Sequence, residues 1–288
     1  MVALSPIKGP TLGAVLALTC LSCTAAASTQ AQTPRINESA SQSDAQRIRA
    51  VIGNAIMAAN PEYYIEVDDP SLTEKNSANE LRLPFSVKPL GFEGITKTVP
   101  WLKRYEVSVN GTGTSIRSAP QLPATAMTGF IQGVRNRTEL SIDKTLARMP
   151  QSLRVFAVVE LKDPLHPSDL KKVPTGFITD VFFSPLVSGR RPVFWRMGPG
   201  CESMFLPPCK SDTDVVAQFK SWVGMLQPSD GKALAQLGLD LGLLRMAATD
   251  SKIYGFVIDG PPETVRAYAT GPDVKAAEIF QAIPEYRK

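Results

Sequence analysis

The segment Lys252–Phe280, KIYGFVIDGPPETVRAYATGPDVKAAEIF, predicts the fold more clearly than any other part of the chain. Its first part, Ile253–Ile258, is short, apolar and rich in β-branched and aromatic residues, which is typical of a strand buried on both faces. Glu263–Ala269 has helical spacing and ends before Gly271, a common helix stop. Val274–Phe280 has the composition of a returning strand. We therefore expect a strand–helix–strand unit whose helix lies across the sheet that both strands join.

Short strands and amphipathic helices alternate along the rest of the chain. Asp44–Asn60 and Thr213–Gln227 each place apolar residues on one helical stripe, and Leu153–Leu161 is a continuous apolar strand. This order predicts an α+β fold, a mixed sheet with helices packed on one face. Further strands are expected at 62–67, 81–89, 101–109, 176–184 and 193–195, and further helices at 167–173 and 234–248.

The pattern changes near Pro150, which suggests two subdomains. The first is an N-terminal α+β part at 44–150, and the second is an α+β part at 151–288. Residues 120–150 show only an irregular or partly helical pattern. The chain of 288 residues is long enough for one large domain or two small ones after a leader is removed.

Residues 1–31 have the features of a signal peptide. Lys8 provides a positive charge near the N-terminus, and residues 12–21 form an apolar stretch that is too short to span a membrane easily. Residues 25–27 are small, as is typical of a signal-peptidase cleavage site. Lipidation on Cys20 or Cys23, or an uncleaved anchor, is the alternative to simple cleavage. Residues 32–43 are polar and without periodicity, as in a disordered linker. We expect a secreted or extracytoplasmic protein of the cell envelope.

Composition argues against several functional classes. The net charge of +4 is small and dispersed, so nucleic acid is not an expected partner. His166 is the only histidine, which excludes a zinc site with several histidine ligands and leaves one residue for any Ser-His-Asp triad. The chain has no nucleotide-binding glycine motif, and its two S-x-x-K patterns lack the companion motifs of penicillin-binding enzymes. We therefore predict no catalytic, metal or cofactor residues.

The remaining acidic candidates have simple structural interpretations. Asp68 and Asp69 lie near Glu66 and precede a proline, as in a turn, and Glu263 at the head of a helix complements the helix dipole. A calcium site at the two aspartates, or a carboxylate pair for hydrolysis, remains compatible with the spacing. A carboxylate-using envelope hydrolase is therefore the alternative function.

Cys201 and Cys209 are the only cysteines outside the leader. In an exported chain, such a pair is expected to form a disulfide, which closes a small loop. Within it, Met204, Phe205 and Leu206 form an apolar run between the two cysteines. This run is either a recognition tip or packed inward.

Residues 153–280 resemble the extracytoplasmic C-terminal domain of bacterial sigma-factor regulators, the anti-sigma proteins. The resemblance lies in RVFAVVEL at 154–161, the helix around Phe219, IYGFVIDG at 253–260 and GPDVKA at 271–276. In that family a sigma-binding segment and a membrane-spanning helix precede the domain, whereas here a signal-like segment does. The resemblance implies a solitary sensor-type module outside the cytoplasm rather than a direct inhibitor of a sigma factor.

These observations together predict an exported, non-enzymatic envelope protein. Its partner would be another envelope protein or a small ligand, recognised through residues 198–209 and the adjacent sheet edge. It would contact the membrane only through an N-terminal anchor.

Overall fold

The chain folds into two antiparallel sheets with helices around them in the computed structural model. The described residues are 38–67, 80–90, 103–119, 121–122, 126–131, 142–170, 177–187, 190–196 and 215–284. The strands are β1 (Tyr63–Val67), β2 (Glu80–Pro89), β3 (Lys103–Asn110), β4 (Ile116–Ser118), β5 (Leu153–Leu165), β6 (Ile178–Phe182), β7 (Phe194–Arg196), β8 (Ile253–Gly260) and β9 (Val274–Pro284). The helices are α1 (Glu38–Ala59), α2 (Ala126–Ile131), α3 (Ile142–Arg148), α4 (Pro167–Leu170), α5 (Val215–Met225), α6 (Gly231–Gln236), α7 (Leu241–Asp250) and α8 (Pro262–Ala269).

The five-stranded sheet is built around the C-terminal unit that the sequence predicts. Its strand order is β7-β6-β8-β5-β9, and every pairing in it is antiparallel. Helix α8 lies across β8, β5 and β9, as expected. The α+β class is confirmed, but the predicted mixed sheet is wrong. The two strands of the unit are parallel to each other, yet β5 lies between them and is antiparallel to both, which a local pattern cannot show.

The four-stranded sheet is an antiparallel meander in the order β1-β2-β3-β4. The predicted turn after β3 is present, because the Asn110 side chain accepts a hydrogen bond from the Ser115 amide at 2.9 Å. Gly113 in this turn has a φ of 73° and lies against Ile48 of α1, where a side chain would not fit. The turn therefore brings the meander close to the first helix.

Helix α1 is the centre of the main core. Every residue from Ala50 to Ala59 except Met57 is buried, whereas the sequence suggested a single apolar stripe. The buried Trp222 of α5 donates its indole N–H to the Val51 carbonyl at 3.3 Å. Side chains of both sheets join α1 and α5 in one hydrophobic cluster, so the helix is covered on several sides. The helix also begins at Glu38, earlier than the predicted Asp44.

The opposite face of the five-stranded sheet is also covered. Phe156, Val158 and Phe182 form a second buried cluster there, together with Met127 of α2. The prediction of helices on one face only is therefore wrong in this detail. The physical reason is that β5 carries apolar residues on both faces, and each face must be removed from water.

The two sheets divide the chain near the predicted boundary. The four-stranded sheet comes entirely from residues before Pro150 and the five-stranded sheet entirely from residues after it. Residues Ser39–Lys288 nevertheless form one compact unit, and the main core draws on both parts. Separate folding of 44–150 and 151–288 stays a prediction. The leader 1–31 and the first part of the 32–43 linker lie outside the described residues.

Candidate functional site

The predicted recognition segment joins β7 to α5. Its residues Cys201, Met204, Phe205, Leu206 and Cys209 all lie outside the described part of the chain. The predicted disulfide and the recognition tip therefore stay predictions. The strand that precedes the segment in the sequence, β7, is described, and it is the sheet edge that the sequence analysis connected with function.

That edge is β7, and its edge position is confirmed. Phe194 is 1% exposed and Trp195 5% exposed, so the strand is firmly packed, although among the described strands it pairs only with β6. The Trp195 ring stacks on Trp222 with centroids 5.1 Å apart. The chain thus enters the predicted recognition segment from a rigid position.

Arg196 is the last residue of β7 and connects it to the first half of the chain. Its Nε donates to Asp180 Oδ1 at 2.9 Å, and Asp180 is fully buried on the neighbouring strand β6. Its two terminal nitrogens donate to the carbonyls of Tyr63 at 2.7 Å and Pro61 at 3.0 Å. A guanidinium with donors in a fixed planar fork suits three such acceptors.

A shallow crevice lies beside this cluster. It holds about 10 Å³, which is room for about one water molecule. Arg191, which precedes β7, donates a hydrogen bond to the Ala59 carbonyl at the end of α1. The lining residues are Ala58, Ala59, Pro61, Glu62, Thr128, Ile131, Arg191 and Pro192.

Glu62 is the buried acidic group of the crevice. It is 6% exposed, and its Oε1 accepts a hydrogen bond from Thr128 Oγ1 at 2.9 Å. Burial raises the pKa of the adjacent Tyr63, and the charges of Glu62 and Tyr105 raise it further. The site can hold a carboxylate and one water, but its volume is too small for a substrate molecule.

Glu66 and Glu263, the acidic candidates from the sequence that the structure describes, do not line this crevice. Glu66 lies on β1, Glu263 lies exposed in the first turn of α8, and Asp68 and Asp69 fall outside the described residues. His166 is exposed, and its Nδ1 lies 2.9 Å from Ser168 Oγ in the turn that enters α4. In the described ranges, no group of three or more His, Cys, Asp or Glu side chains could hold a metal ion.

Other buried carboxylates are paired with cations of the chain. Asp230, 1% exposed, accepts two hydrogen bonds from Arg47 at 2.9 and 3.2 Å. Glu160, 4% exposed, lies 2.9 Å from Lys275 Nζ. Asp259 on β8 accepts from Arg154 on β5. Such partners offset the cost of removing a carboxylate from water, so these acids serve the fold.

Sequence reasoning did not identify Glu62, Thr128, Arg191 or Arg196. The first two are 66 residues apart, and Arg196 lies 133 residues from Tyr63. No local pattern connects residues at such separations. The only local signals were the helix end before Pro61 and the predicted edge strand at 193–195, and neither indicates a charge cluster.

None of the helices in the part of the chain that the structure describes is long and apolar enough to cross a membrane. Comparisons with protein-family models, with curated proteins and with solved structures each returned no match.

Proposed function

We propose that this chain is an exported, non-enzymatic protein of the cell envelope that recognises a partner at the β7 edge of its five-stranded sheet. It would act as a sensor or binding module similar to the extracytoplasmic domain of anti-sigma regulators. The partner would be an envelope protein or a small ligand. The leader would be cleaved, or the chain would be lipid-anchored through Cys20 or Cys23.

The observation that carries this proposal is the rigid attachment of β7. Arg196 makes hydrogen bonds to Asp180, Pro61 and Tyr63, and therefore holds β7 against both its own sheet and the first half of the chain. Recognition residues are most effective when a rigid element positions them. The predicted tip Met204–Leu206 follows this strand in the sequence.

The state of the buried acids supports a binding role over a catalytic one. General acid–base catalysis needs a carboxylate that can exchange protons with a substrate. Asp180, Asp230 and Glu160 are instead buried and paired with arginine or lysine. These carboxylates are used to join elements of the fold.

The test is in-cell crosslinking of the tagged full-length protein in its own envelope, followed by purification and mass spectrometry. We expect a reproducible envelope partner that is lost in Phe205→Asp. The matched control is Met246→Asp, which makes the same kind of change at a side chain that is 60% exposed on α7. Both variants must show the wild-type thermal unfolding midpoint.

A partner retained equally by Phe205→Asp and Met246→Asp would refute the recognition tip. The same peptides report the mature N-terminus, which distinguishes cleavage near Ser28 from a lipidated cysteine. A chain found only in the cytoplasmic fraction would refute export.

A carboxylate-using hydrolase is the second candidate, and Glu62 in its crevice is the observation in its favour. For this role the crevice would have to open, since its volume of about 10 Å³ admits no substrate. A hydrolytic activity on envelope polymers that is abolished in Glu62→Gln, with folding unchanged, would favour this candidate over the binding module.

A further inference from the structure

The turn between β3 and β4 contains the only Asn-Gly pair of the sequence, Asn110–Gly111. An asparagine carboxamide can be attacked by the backbone nitrogen of the following residue, and a glycine in that place has no Cβ atom to hinder the approach. Gly111 is exposed to solvent and Asn110 is half-buried, so water reaches both residues. The pair therefore has the residue types and the solvent access that spontaneous deamidation needs.

The other asparagines that the structure describes are poorer substrates for this reaction. Asn60 precedes Pro61, whose nitrogen carries no hydrogen and cannot attack. Asn54 is fully buried in α1, and its Nδ2 donates to the Ala50 carbonyl at 2.7 Å. They serve as internal references in the chain for the reactivity of Asn110.

Three hydrogen bonds of the native turn hold the Asn110 carboxamide. Its Oδ1 accepts from the Ser115 amide at 2.9 Å, and its Nδ2 donates to the Oγ1 atoms of Thr112 at 2.8 Å and Thr114 at 3.0 Å. This orientation is defined, because a backbone N–H can only donate and must face the carboxamide oxygen. To meet the Gly111 nitrogen, the carboxamide has to leave these partners.

The backbone of the turn also holds the attacking nitrogen in place. The Asn110 carbonyl accepts from the Gly113 amide at 2.8 Å, and the Asn110 amide donates to the Ser115 carbonyl at 3.0 Å. Because a peptide group is planar, the bond to the Asn110 carbonyl also fixes the direction of the Gly111 nitrogen. Gly113 is buried against Ile48 of α1, so this arrangement changes only when the turn opens.

We propose that Asn110 is a deamidation site that the native β3–β4 turn protects, and that it reacts when this turn opens. In the reaction the Gly111 nitrogen forms a bond to Asn110 Cγ, and Nδ2 leaves with the Gly111 proton as ammonia. Water then opens the cyclic imide that results. Cleavage at Cγ gives aspartate, whereas cleavage at the main-chain carbonyl carbon gives isoaspartate, whose backbone runs through Cβ and Cγ.

The two products should affect the four-stranded sheet differently. An aspartate can still accept from the Ser115 amide, and the two threonine hydroxyls can turn to donate to its second oxygen. An isoaspartate lengthens the backbone by a methylene group, which the close contact of Gly113 with Ile48 does not accommodate. Strand β4 has only three residues, so it should separate from β3 and lose its hydrogen bonds to Gln236.

Mass spectrometry of the peptide that contains Asn110, after incubation of the purified full-length chain in buffer and in urea at one pH, tests the proposal. We expect the rate in the folded chain to be lower by about tenfold or more, because only the open fraction reacts. Gly111→Ala should slow the reaction in urea, since its Cβ atom hinders the attack. Equal rates in buffer and urea, no reaction of Asn110 in urea, or an unchanged rate for Gly111→Ala in urea would overturn the proposal.

The double variant Thr112→Val, Thr114→Val tests the protection by the carboxamide bonds. It removes both acceptors of Nδ2 with little change of shape, and deamidation in the folded state should become about fivefold faster because the turn opens more easily. The matched control is Thr249→Val, which removes an exposed hydroxyl on α7 and should react at the wild-type rate. A double variant that reacts no faster than Thr249→Val would refute this protection. If the double variant does not fold, the comparison of the wild type in buffer and urea still decides.

Hydrogen exchange of the separated products tests the effect on β4. The Ile116 amide, which donates to Gln236 at 2.8 Å, should exchange faster in the isoaspartate product than in the aspartate product. Equal exchange would refute the predicted separation of β4. All of these readouts use the purified chain alone, so their failure is distinct from failure of the proposed function.

Discussion

Gln236 of α6 hydrogen-bonds the backbone of Ile116 in the way that a neighbouring strand would. Its Oε1 accepts from the Ile116 amide at 2.8 Å, and its Nε2 donates to the Ile116 carbonyl at 2.9 Å. Ile116 lies on β4, the edge of the four-stranded sheet. A side chain from the second half of the sequence thus hydrogen-bonds the edge strand of a sheet whose described strands all come from the first half.

Gln236→Ala should lower the free energy of unfolding by about 1–2 kcal/mol, because two backbone groups of Ile116 lose their partner. Urea unfolding followed by fluorescence measures the change. Gln236→Glu should fall in between, since a carboxylate can still accept from the amide but cannot donate to the carbonyl. Lys232→Ala, at an exposed position of the same helix, is the control. Equal stability of the alanine variant and the wild type would show that water replaces this contact at no cost.

Asp180→Ala should lower the free energy of unfolding far more than Gln236→Ala does. Asp180 is fully buried, and its loss leaves the guanidinium of Arg196, with a side chain 15% exposed, without its anion. Removing one partner of a buried ion pair costs about 3–5 kcal/mol. Thermal unfolding monitored by circular dichroism measures the loss.

The exposed pair Asp143–Arg266 provides the comparison for this prediction. Both side chains are about half exposed, at 50% and 46%. Arg266→Gln should leave the unfolding midpoint unchanged, since solvent screens such a pair. If Asp180→Ala and Arg266→Gln had similar effects, the buried pair of Asp180 and Arg196 would not stabilise the fold as we describe.

Gly255 on β8 should not tolerate a side chain. A Cβ atom at this position would lie 2.3 Å from the Val159 carbonyl oxygen on the neighbouring strand. Gly255→Ala should therefore destabilise the protein by about 1–3 kcal/mol through overpacking. Urea unfolding measures this, and an unchanged midpoint would contradict the close approach of β8 to β5.

Gly224→Ala is the matched substitution, and we expect it to raise the free energy of unfolding, whereas Gly255→Ala should lower it. Gly224 lies in α5, and nothing is within 4 Å of an added Cβ atom. Because glycine costs backbone entropy in a helix, the alanine should stabilise the fold by about 0.5–1 kcal/mol.

Tyr63 makes stability depend on pH in the alkaline range. Burial first, and then the charges of Glu62 and Tyr105, raise its pKa above the ordinary value of 10.0. The native state therefore keeps this proton where the unfolded chain has lost it. The resulting stability is fully present below pH 10.0 and is lost as the pH rises towards the folded-state pKa.

The measurement for Tyr63 is the urea midpoint at pH values on either side of 10.0, for the wild type and Tyr63→Phe. The wild type should lose stability more steeply with rising pH, because the phenylalanine variant has no phenol to ionise. Equal slopes would mean that the Tyr63 phenol ionises as readily in the folded state as in the unfolded chain.

Helices and strands could be predicted from the sequence wherever apolar residues recur at helical or strand spacing over enough positions. The predicted strand at 153–161 and helix at 213–227 correspond to β5 and α5. The expected helix at 234–248 is instead two helices, α6 and α7, with Gly238 at a φ of 79° between them. Strand β4 was not predicted, and α2 and α3 lie in the range 120–150, for which the sequence predicted only an irregular or partly helical structure. Elements of three to seven residues are too short to show a clear helical or strand period.

The sequence by itself determined the α+β class, most strands and helices, and the edge position of β7. These depend on the alternation of apolar and polar residues over a few positions, which is a local property. Only the tertiary structure decided that β5 lies between β8 and β9, and that Arg196 and Gln236 hydrogen-bond the edge strands of the other sheet. It alone placed Glu62 beside Thr128. These relationships join residues 66 to 133 positions apart, and they arise because buried backbone and charged groups take partners wherever the packed core brings them together.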